Sequence, residues 1–418
     1  MNTLKLLLFG LALTGTPLFV VISALALLSF YSVGIDFSVV IIEMTRLAET
    51  PLLLSLPLFI FTGMLLSESD APQRILLLSK TFFGWLPGGL AVISLIVCAI
   101  FTAFTGASGI TIFALGGLLL PALLSDGYQD RFSMGLITSS GSLGLLFPPS
   151  LPLILYGVIS QSRIDHLFLA GLLPGLLMLV FLMIYAMRKS PAKSARPTEP
   201  VSGRELRRCL WELPLPVVIL GGIYGGFLVA SEAAAVSALY VIVVEVFVLR
   251  DVAIARLPKI MASSMVLFGG ILVILAASMA FTNFLIDQQV PQHLFAFLQH
   301  YITSKYTFLL LLNIFLLIVG ALLDIFSALV LIVPLILPVA AGYDINPLHL
   351  GVIFLTNLQI GYCTPPVGLN LFLASYRFNR PIIELYRASL PFLGLLLATL
   401  VIITYFPLLS LALVSLWG

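Results

Sequence analysis

The chain has 418 residues, of which 61% are hydrophobic and only 9% are charged, and its formal net charge is +2. Soluble domains carry about 25% charged residues, so this composition excludes secreted proteins, nucleic-acid binders and ordinary cytosolic enzymes. The apolar runs are continuous rather than alternating, which also excludes an outer-membrane β-barrel. At about 20 residues a span, the sequence predicts an all-α polytopic membrane protein with roughly ten to fourteen crossings.

The first half of the chain, residues 1–187, begins with an apolar stretch. Residues 1–30 are predicted to form two short spans that are retained, because no small-residue cleavage site precedes a soluble domain. A polar, amphipathic stretch at residues 70–85 is expected to lie along the membrane interface. Two interrupted elements follow it: a re-entrant helical hairpin at about residues 91–124, broken at 105–108, and a discontinuous helix at about residues 135–159.

A basic linker at residues 188–210 follows the first half. The segment holds seven Lys and Arg residues against two Glu residues, together with three prolines. Short loops rich in Lys and Arg stay on the cytoplasmic side of a membrane. The linker is therefore predicted to be cytoplasmic, and with an odd number of crossings in each half both termini are predicted to face the periplasm.

The second half, residues 211–418, has the same order of elements. Three spans are predicted at residues 213–230, 232–249 and 260–284. The stretch at 286–304 is too polar to span and is expected to lie along the interface. A second re-entrant hairpin is predicted at about residues 306–341, broken near 320–327, and a second discontinuous helix at about residues 350–376.

The two halves are predicted to be a repeat with an offset of 217 positions. Pro148-Pro149 corresponds to Pro365-Pro366 at this offset, and Gly144 corresponds to Gly361. The same offset relates Pro121 to Pro338 and Leu173-Pro174 to Leu390-Pro391. Because the flanking charges place the two hairpins on opposite sides of the membrane, the repeats are interpreted as inverted, as in many secondary transporters.

The chemistry is predicted to lie at the interrupted helices. A Pro-Pro pair removes backbone donors and unwinds a helix, and irregular backbone at membrane depth is tolerated where it lines a cavity or is buried in protein. Freed carbonyl groups can bind Na⁺, and neighbouring helix N-termini favour anions. A simple proline kink is the alternative, but it does not account for two pairs in register, each after a polar hairpin tip.

Polar side chains around the breaks are the candidate ligands. Among them, the residues predicted to contact the substrate are Ser108, Thr111, Ser150, Asn357 and Asn370. Asp324 is a carboxylate inside an apolar run, which makes it a functional candidate, with a structural hydrogen bond as the alternative. Glu232 is expected to cap a helix. No cofactor is predicted, and the absence of a nucleophile–base pair or metal cluster argues against an intramembrane enzyme.

Four motifs resemble one transporter family. They are GYDINPLHLGVI at residues 342–353 and IGYCTPPVGLNLF at 360–372, with LFPPSLPLILYG at 146–157 and LFLAGLLPG at 167–175 in the first half. These sequences resemble the large membrane subunit of tripartite ATP-independent periplasmic (TRAP) transporters over nearly the whole chain. In the first hairpin the chain departs from the family pattern, because it reads TGASGIT at 105–111.

The resemblance implies a Na⁺-driven importer of organic acids in the bacterial inner membrane with an elevator-type, ion-transporter-superfamily fold. It implies two partners, a small four-helix membrane subunit and a periplasmic substrate-binding protein. By position, it places Na⁺ ligands at Thr105, Gly144, Phe147 and Pro149 in the first half, and at Asp324, Gly361, Thr364 and Pro366 in the second. The alternative is a self-sufficient Na⁺/carboxylate symporter of the same superfamily, and the sequence does not specify the acid.

Overall fold

The fold is described by a computed structural model, which covers residues 16–34, 51–83, 88–191 and 203–417, with the single positions 36, 38, 41, 42 and 45. All regular structure in these residues is helical. Residues 1–15, half of the stretch predicted to form two short spans, lie outside the described residues, as does the centre of the basic linker. The prediction of an all-α polytopic membrane protein is confirmed.

Within the described residues, the first half contains three apolar helices, an amphipathic helix and the two interrupted elements. Their bounds are α1 Leu18–Val33, α2 Ser55–Ser67, α3 Ala71–Phe83, α4 Gly89–Thr105, α5 Ser108–Ser125, α6 Asp130–Ser140, α7 Leu151–Ser160 and α8 Ile164–Arg188. Helices α4 and α5 form the hairpin, and α6, a 3₁₀ turn at Leu143–Leu146 and α7 form the discontinuous helix. The break in this helix bends the chain by 42°.

The second half begins with a short helix in the linker region. Its bounds are α9 Gly203–Cys209, α10 Pro214–Tyr224, α11 Ala230–Ile242, α12 Leu257–Asp287, α13 Val290–Tyr301, α14 Lys305–Leu322, α15 Ile325–Gly342, α16 Pro347–Gly361, α17 Leu369–Phe378, α18 Ile382–Tyr405 and α19 Leu408–Trp417. A π-helical turn, Val243–Val248, extends α11. Helices α14 and α15 form the second hairpin, and α16 and α17 form the second discontinuous helix.

The helix bounds follow the 217-residue offset. Helix α5 maps onto α15 residue for residue, and α4 maps onto α14 within one residue at its start. The first residues of α6, Asp130, and of α16, Pro347, also correspond. The repeat seen in the prolines therefore extends to the lengths of the helices, while the inverted orientation of the halves stays a prediction.

Seven described helices are long and apolar enough to cross a membrane, or eight if the bent pair of α6 and α7 counts as one span. Shorter apolar helices of 10–17 residues accompany them. One predicted span is different in the structure: residues 213–230 contain the 11-residue helix α10, which ends at Tyr224. A turn at Gly226, with a φ of +72°, stops that helix, because glycine adopts the left-handed conformation at little cost.

The two halves are interlaced rather than separate. Helix α6 packs against α18, α5 against α17, and α7 against α15. Nearer the start of each half, α2 packs against α11 and α1 against α12. This exchange of partners brings the two discontinuous helices next to each other inside the protein.

Candidate functional site

The first break lies between the 3₁₀ turn Leu143–Leu146 and helix α7. Residues Phe147 to Ser150 are not helical, and the bond between Pro148 and Pro149 is cis. Ser150 then caps α7, because its side chain accepts a hydrogen bond from the backbone N–H of Leu153. The break leaves backbone carbonyls that accept no hydrogen bond from an N–H of the same helix.

The second break is longer and more open. Helix α16 ends at Gly361 and α17 begins at Leu369, with a cis bond between Pro365 and Pro366. Pro365, Pro366 and Val367 are exposed, whereas the equivalent residues of the first break are buried. The two breaks therefore share a position in the repeat but differ in their accessibility.

Glycines let each hairpin approach its break. A Cβ on Gly144 would lie 2.3 Å from the carbonyl oxygen of Ala99 in α4, and a Cβ on Gly361 would lie 2.5 Å from the carbonyl carbon of Gly320 in α14. No real Cβ fits at these distances, since heavy atoms pack at about 3.5–4.0 Å. Both predicted ligand positions are thus places where the backbone of the break touches the first arm of a hairpin.

The first hairpin tip is a buried polar cluster. Helix α4 ends at Thr105, and its C-cap Gly106 has a φ of +63° and donates its N–H to the carbonyl of Thr102. The hydroxyl of Thr102 lies 2.9 Å from the carbonyl oxygen of Gly141, just before the first break, and 2.7 Å from the hydroxyl of Thr111. The predicted residues Thr105, Ser108 and Thr111 are all buried here.

Asp324 lies at the tip of the second hairpin, between α14 and α15. The side chain is exposed, and its Oδ1 accepts hydrogen bonds from the backbone N–H groups of Phe326 and Ser327, each at 3.0 Å. Asp324 is therefore the N-cap of α15, which agrees with the structural alternative, although its side chain is exposed rather than buried. Its predicted role at a cation stays a prediction.

The two breaks contact each other directly. The hydroxyl of Ser142 donates to the carbonyl oxygen of Gln359, at 3.3 Å. The carbonyl of Thr138 in α6 accepts a hydrogen bond from Nδ2 of Asn370 at 3.4 Å. The ends of α6 and α16 and the start of α17 therefore form one polar region.

Three buried amide oxygens in this region have no hydrogen-bond donor. They are Oδ1 of Asn357, Oε1 of Gln359 and Oδ1 of Asn370, all on the second discontinuous helix. A buried acceptor without a donor costs about 1–3 kcal/mol. Amide and backbone oxygens are ligands for hard cations, so the chemistry of this donor set fits a bound cation.

The predicted residues lie around the two breaks and the hairpin tips. Those that are buried are Thr105, Ser108, Thr111, Gly144, Pro149, Ser150, Asn357, Gly361 and Asn370; Phe147 and Thr364 are half-buried, and Asp324 and Pro366 are exposed. The hydroxyl of Thr364 donates to the carbonyl of Ile360 at 2.9 Å, which leaves its lone pairs free to accept. The predicted ligand and substrate roles stay predictions.

A cavity of about 640 Å³ lies among α7, α12 and α15, and none of its lining residues belongs to either break. Its lining comes from the end of α7 and the residues after it, from α12, and from α15, and includes Arg163, Ser278 and Asn283. Ligand sites for small molecules have volumes of about 300–1,000 Å³. None of the five residues predicted to contact substrate lines this cavity. No local sequence pattern indicated this cavity, because its polar lining residues are spread over three distant segments.

The second feature that sequence reasoning missed is a buried ionic cluster around Arg74, the Arg74 cluster. Arg74 in α3 contacts Glu212 at 2.7 Å, Glu245 at 2.5 Å and Asp251, all at most 8% exposed. Arg208 contacts Asp251 at 2.7 Å. Arg74 ties this amphipathic helix to the beginning of the second half, and the expected position of residues 70–85 along the membrane interface stays a prediction.

Two hairpins and two broken helices, equivalent by offset and in mutual contact, define the class of the protein: a polytopic membrane transporter rather than an enzyme. Residues 6–409 match the family described as tripartite ATP-independent periplasmic transporter, DctM component. The chain belongs to this family and is the large permease subunit of a TRAP transporter.

Individual relatives agree with this assignment. The C4-dicarboxylate TRAP transporter large permease protein DctM of Pseudomonas aeruginosa is 36% identical over 376 residues, which cover 89% of this chain and 88% of the relative. The isethionate TRAP transporter permease protein DctMQ of Oleidesulfovibrio alaskensis is 33% identical over 403 residues, covering 94% of this chain and 63% of that longer protein. The crystal structure of the YdaH transporter of Alcanivorax borkumensis has the same fold, with a TM-score of 0.65 at 15% identity over 88% of this chain and 87% of the other.

Proposed function

We propose that this permease imports a small organic acid across the bacterial inner membrane, driven by Na⁺ and by an elevator mechanism. The observation that carries the proposal is the set of three unpartnered amide oxygens on the second discontinuous helix. Buried acceptors of this kind are stabilised when a cation binds, and the carbonyls freed at the breaks supply further oxygens. Na⁺ and the acid are the cargo of the transporter.

The class of substrate is argued from charge and from the relatives. Two relatives are named for C4-dicarboxylate and for isethionate, which are small organic anions. In this chain the cavity among α7, α12 and α15 can hold a molecule of that size, and Arg163 is one of the residues that line it. Helix N-termini next to a bound cation also favour an anion.

The elevator motion is proposed from the arrangement of elements around the cavity. The cavity is lined by α12 and by α7 and α15, which belong to the interrupted elements. A movement of the interrupted elements as one unit past α12 would carry a bound anion and cation across the membrane without taking the breaks apart.

In the tripartite system, the partners are a small four-helix membrane subunit and a periplasmic binding protein that delivers the acid. Both termini are proposed to face the periplasm.

The test is uptake into proteoliposomes that contain the permease and the small subunit, with the binding protein outside. We expect the initial rate to saturate with external Na⁺ and to fall to background when K⁺ replaces Na⁺. Asn370→Ala and Thr364→Ala should each raise the half-saturating Na⁺ concentration. Ser237→Ala is the control, because the buried hydroxyl of Ser237 bonds only within α11, to the carbonyl of Ala233.

Two outcomes would count against the proposal. Equal uptake in K⁺ would remove Na⁺ as the coupling ion. Equal uptake by the permease alone, without the binding protein, would favour the self-sufficient Na⁺/carboxylate symporter over a tripartite system.

A further inference from the structure

A chain of hydrogen bonds runs through the second half and ends at Asn357. Nδ1 of His349 lies 3.1 Å from the hydroxyl of Ser410, and Nε2 lies 3.2 Å from the carbonyl oxygen of Thr404. The hydroxyl of Thr404 accepts from Nδ2 of Asn313 at 3.0 Å, and Oδ1 of Asn313 accepts from Nδ2 of Asn357 at 2.7 Å. These side chains are buried, and they join α14, α16, α18 and α19.

These hydrogen bonds fix the orientation of the side-chain amide of Asn357. Its Nδ2 donates twice, to Oδ1 of Asn313 and to the carbonyl oxygen of Ile353 at 2.8 Å. A primary amide has two N–H donors, so both are used. Rotation of the amide by 180° would place its oxygen against two acceptors. Oδ1 of Asn357 is therefore held in one direction, and that oxygen is the one without a donor.

The first half has no counterpart to this chain of hydrogen bonds. At the 217-residue offset, the positions of Asn313, His349 and Thr404 are taken by Ile96, Phe132 and Met187. The position of Asn357 is taken by Ser140, whose hydroxyl donates to the carbonyl of Ile137 at 3.2 Å. The repeat that preserved the breaks and their glycines did not preserve these polar side chains.

We propose that Asn313 and Thr404 are positioning residues that hold the amide oxygen of Asn357 toward a cation at the second break, and that the two breaks are consequently inequivalent cation sites. The proposal rests on the Na⁺-coupled transport proposed above. Ordering a flexible amide in advance removes the entropy that the side chain would otherwise lose when the ion binds. The second site has this preordered ligand, whereas the first has a hydroxyl already bonded to its own helix.

The test compares two threonines of helix α18. Thr404→Val removes the hydroxyl that holds Asn313, and Asn313→Ser shortens the side chain that holds Asn357. Thr399→Val is the matched control, because Thr399 is equally buried but its hydroxyl donates to the carbonyl of Leu396 in the same helix, at 2.7 Å. Thr404→Ser keeps the hydroxyl and is the conservative rescue.

Two measurements are made on the purified complex with its small subunit. The first is initial uptake against Na⁺ concentration, and the second is the rise of the melting temperature as Na⁺ is added, which needs no transport. We expect Thr404→Val and Asn313→Ser to raise the half-saturating Na⁺ concentration at least threefold in both measurements, with the rate at saturating Na⁺ retained. Thr399→Val and Thr404→Ser should match the wild type.

The outcomes separate this inference from the proposed function. If the wild type shows no Na⁺ dependence, the proposed function is wrong. If the wild type depends on Na⁺ but Thr404→Val and Asn313→Ser leave both Na⁺ curves in place, or lower only the melting temperature without Na⁺, these residues have a structural role alone and the inference is overturned.

Discussion

Ser142 and Gln359 are equivalent positions of the repeat, 217 residues apart, and the hydroxyl of one contacts the backbone of the other. A residue can contact its own repeat equivalent only near the axis that relates the two halves. The polar region formed by the two breaks is therefore the centre of the molecule's internal symmetry. Transporters with repeats place their binding sites at such repeat interfaces.

Gly361→Ala should be strongly disruptive. The added Cβ would lie 2.5 Å from the carbonyl carbon of Gly320, and overpacking of this kind costs about 1–3 kcal/mol or more. The measurements are the melting temperature and the uptake rate. Gly394→Ala is the control, because no other atom lies within 4 Å of a Cβ built on Gly394. Equal effects of the two substitutions would contradict the close contact of α16 with the hairpin.

Arg74→Gln should destabilise the protein by about 3–5 kcal/mol, since it leaves buried carboxylates without their cation. Arg163→Gln should cost less than about 1 kcal/mol, because the side chain of Arg163 is 70% exposed where it pairs with Asp165. Thermal unfolding in detergent measures both. If Arg74→Gln lowers the free energy of unfolding no more than Arg163→Gln does, the Arg74 cluster is accessible to water.

Glu212→Gln should change how stability depends on pH. Burial raises the pKa of Glu212 to about 7, against the opposing charge of Arg74. A carboxyl whose pKa is raised on folding contributes stability that is present below its unfolded pKa of about 4.5 and is lost as the pH rises through about 7.

Between pH 5 and pH 8, the melting temperature of the wild type should therefore fall more than that of Glu212→Gln. Glu232→Gln is the control, since Glu232 is exposed and caps α11 through a 3.0 Å contact with the N–H of Val229. If the melting temperatures of Glu212→Gln and the wild type fall by the same amount over this pH range, the pKa of Glu212 is not raised.

Asp324→Asn and Asp324→Ala should separate the capping role of Asp324 from a role at the cation. Asn is as good an N-cap as Asp, whereas Ala costs about 1 kcal/mol. We expect Asp324→Asn to keep the stability of the wild type but to raise the half-saturating Na⁺ concentration, because it removes a negative charge near the second break. Unchanged Na⁺ dependence in both variants would leave Asp324 as a helix cap only.

The sequence predicted the parts of the fold that local patterns encode. The Pro-Pro pairs lie at the breaks, and the 217-residue offset that relates them also relates α5 to α15 residue for residue. Contacts between distant residues were not predictable in the same way. Arg74 pairs with carboxylates 138–177 positions away, so its position on an amphipathic helix gave no sign that it would be buried.

The same limit applied within the site. Asn357 was predicted to contact the substrate because it lies near a break, but its partner Asn313 is 44 positions away in an apolar run. Residues 213–230 were apolar enough to be read as a span, although the glycine turn after Tyr224 makes the helix too short. Periodicity and composition identify elements, whereas the hydrogen-bond partners of a buried side chain depend on how those elements pack.

The interlacing of the halves bears on how such a chain could have arisen. Helices α5, α6 and α7 are covered by α17, α18 and α15 of the other half, so a chain of half this length would leave those faces bare. A second copy of that short chain could cover them, since the two sets of helices are equivalent. An ancestral half-length protein would thus have been an obligate dimer, and gene duplication with fusion would have made its subunit contacts internal. Only after that event could polar residues such as Asn313 and Thr404 be acquired in one half alone.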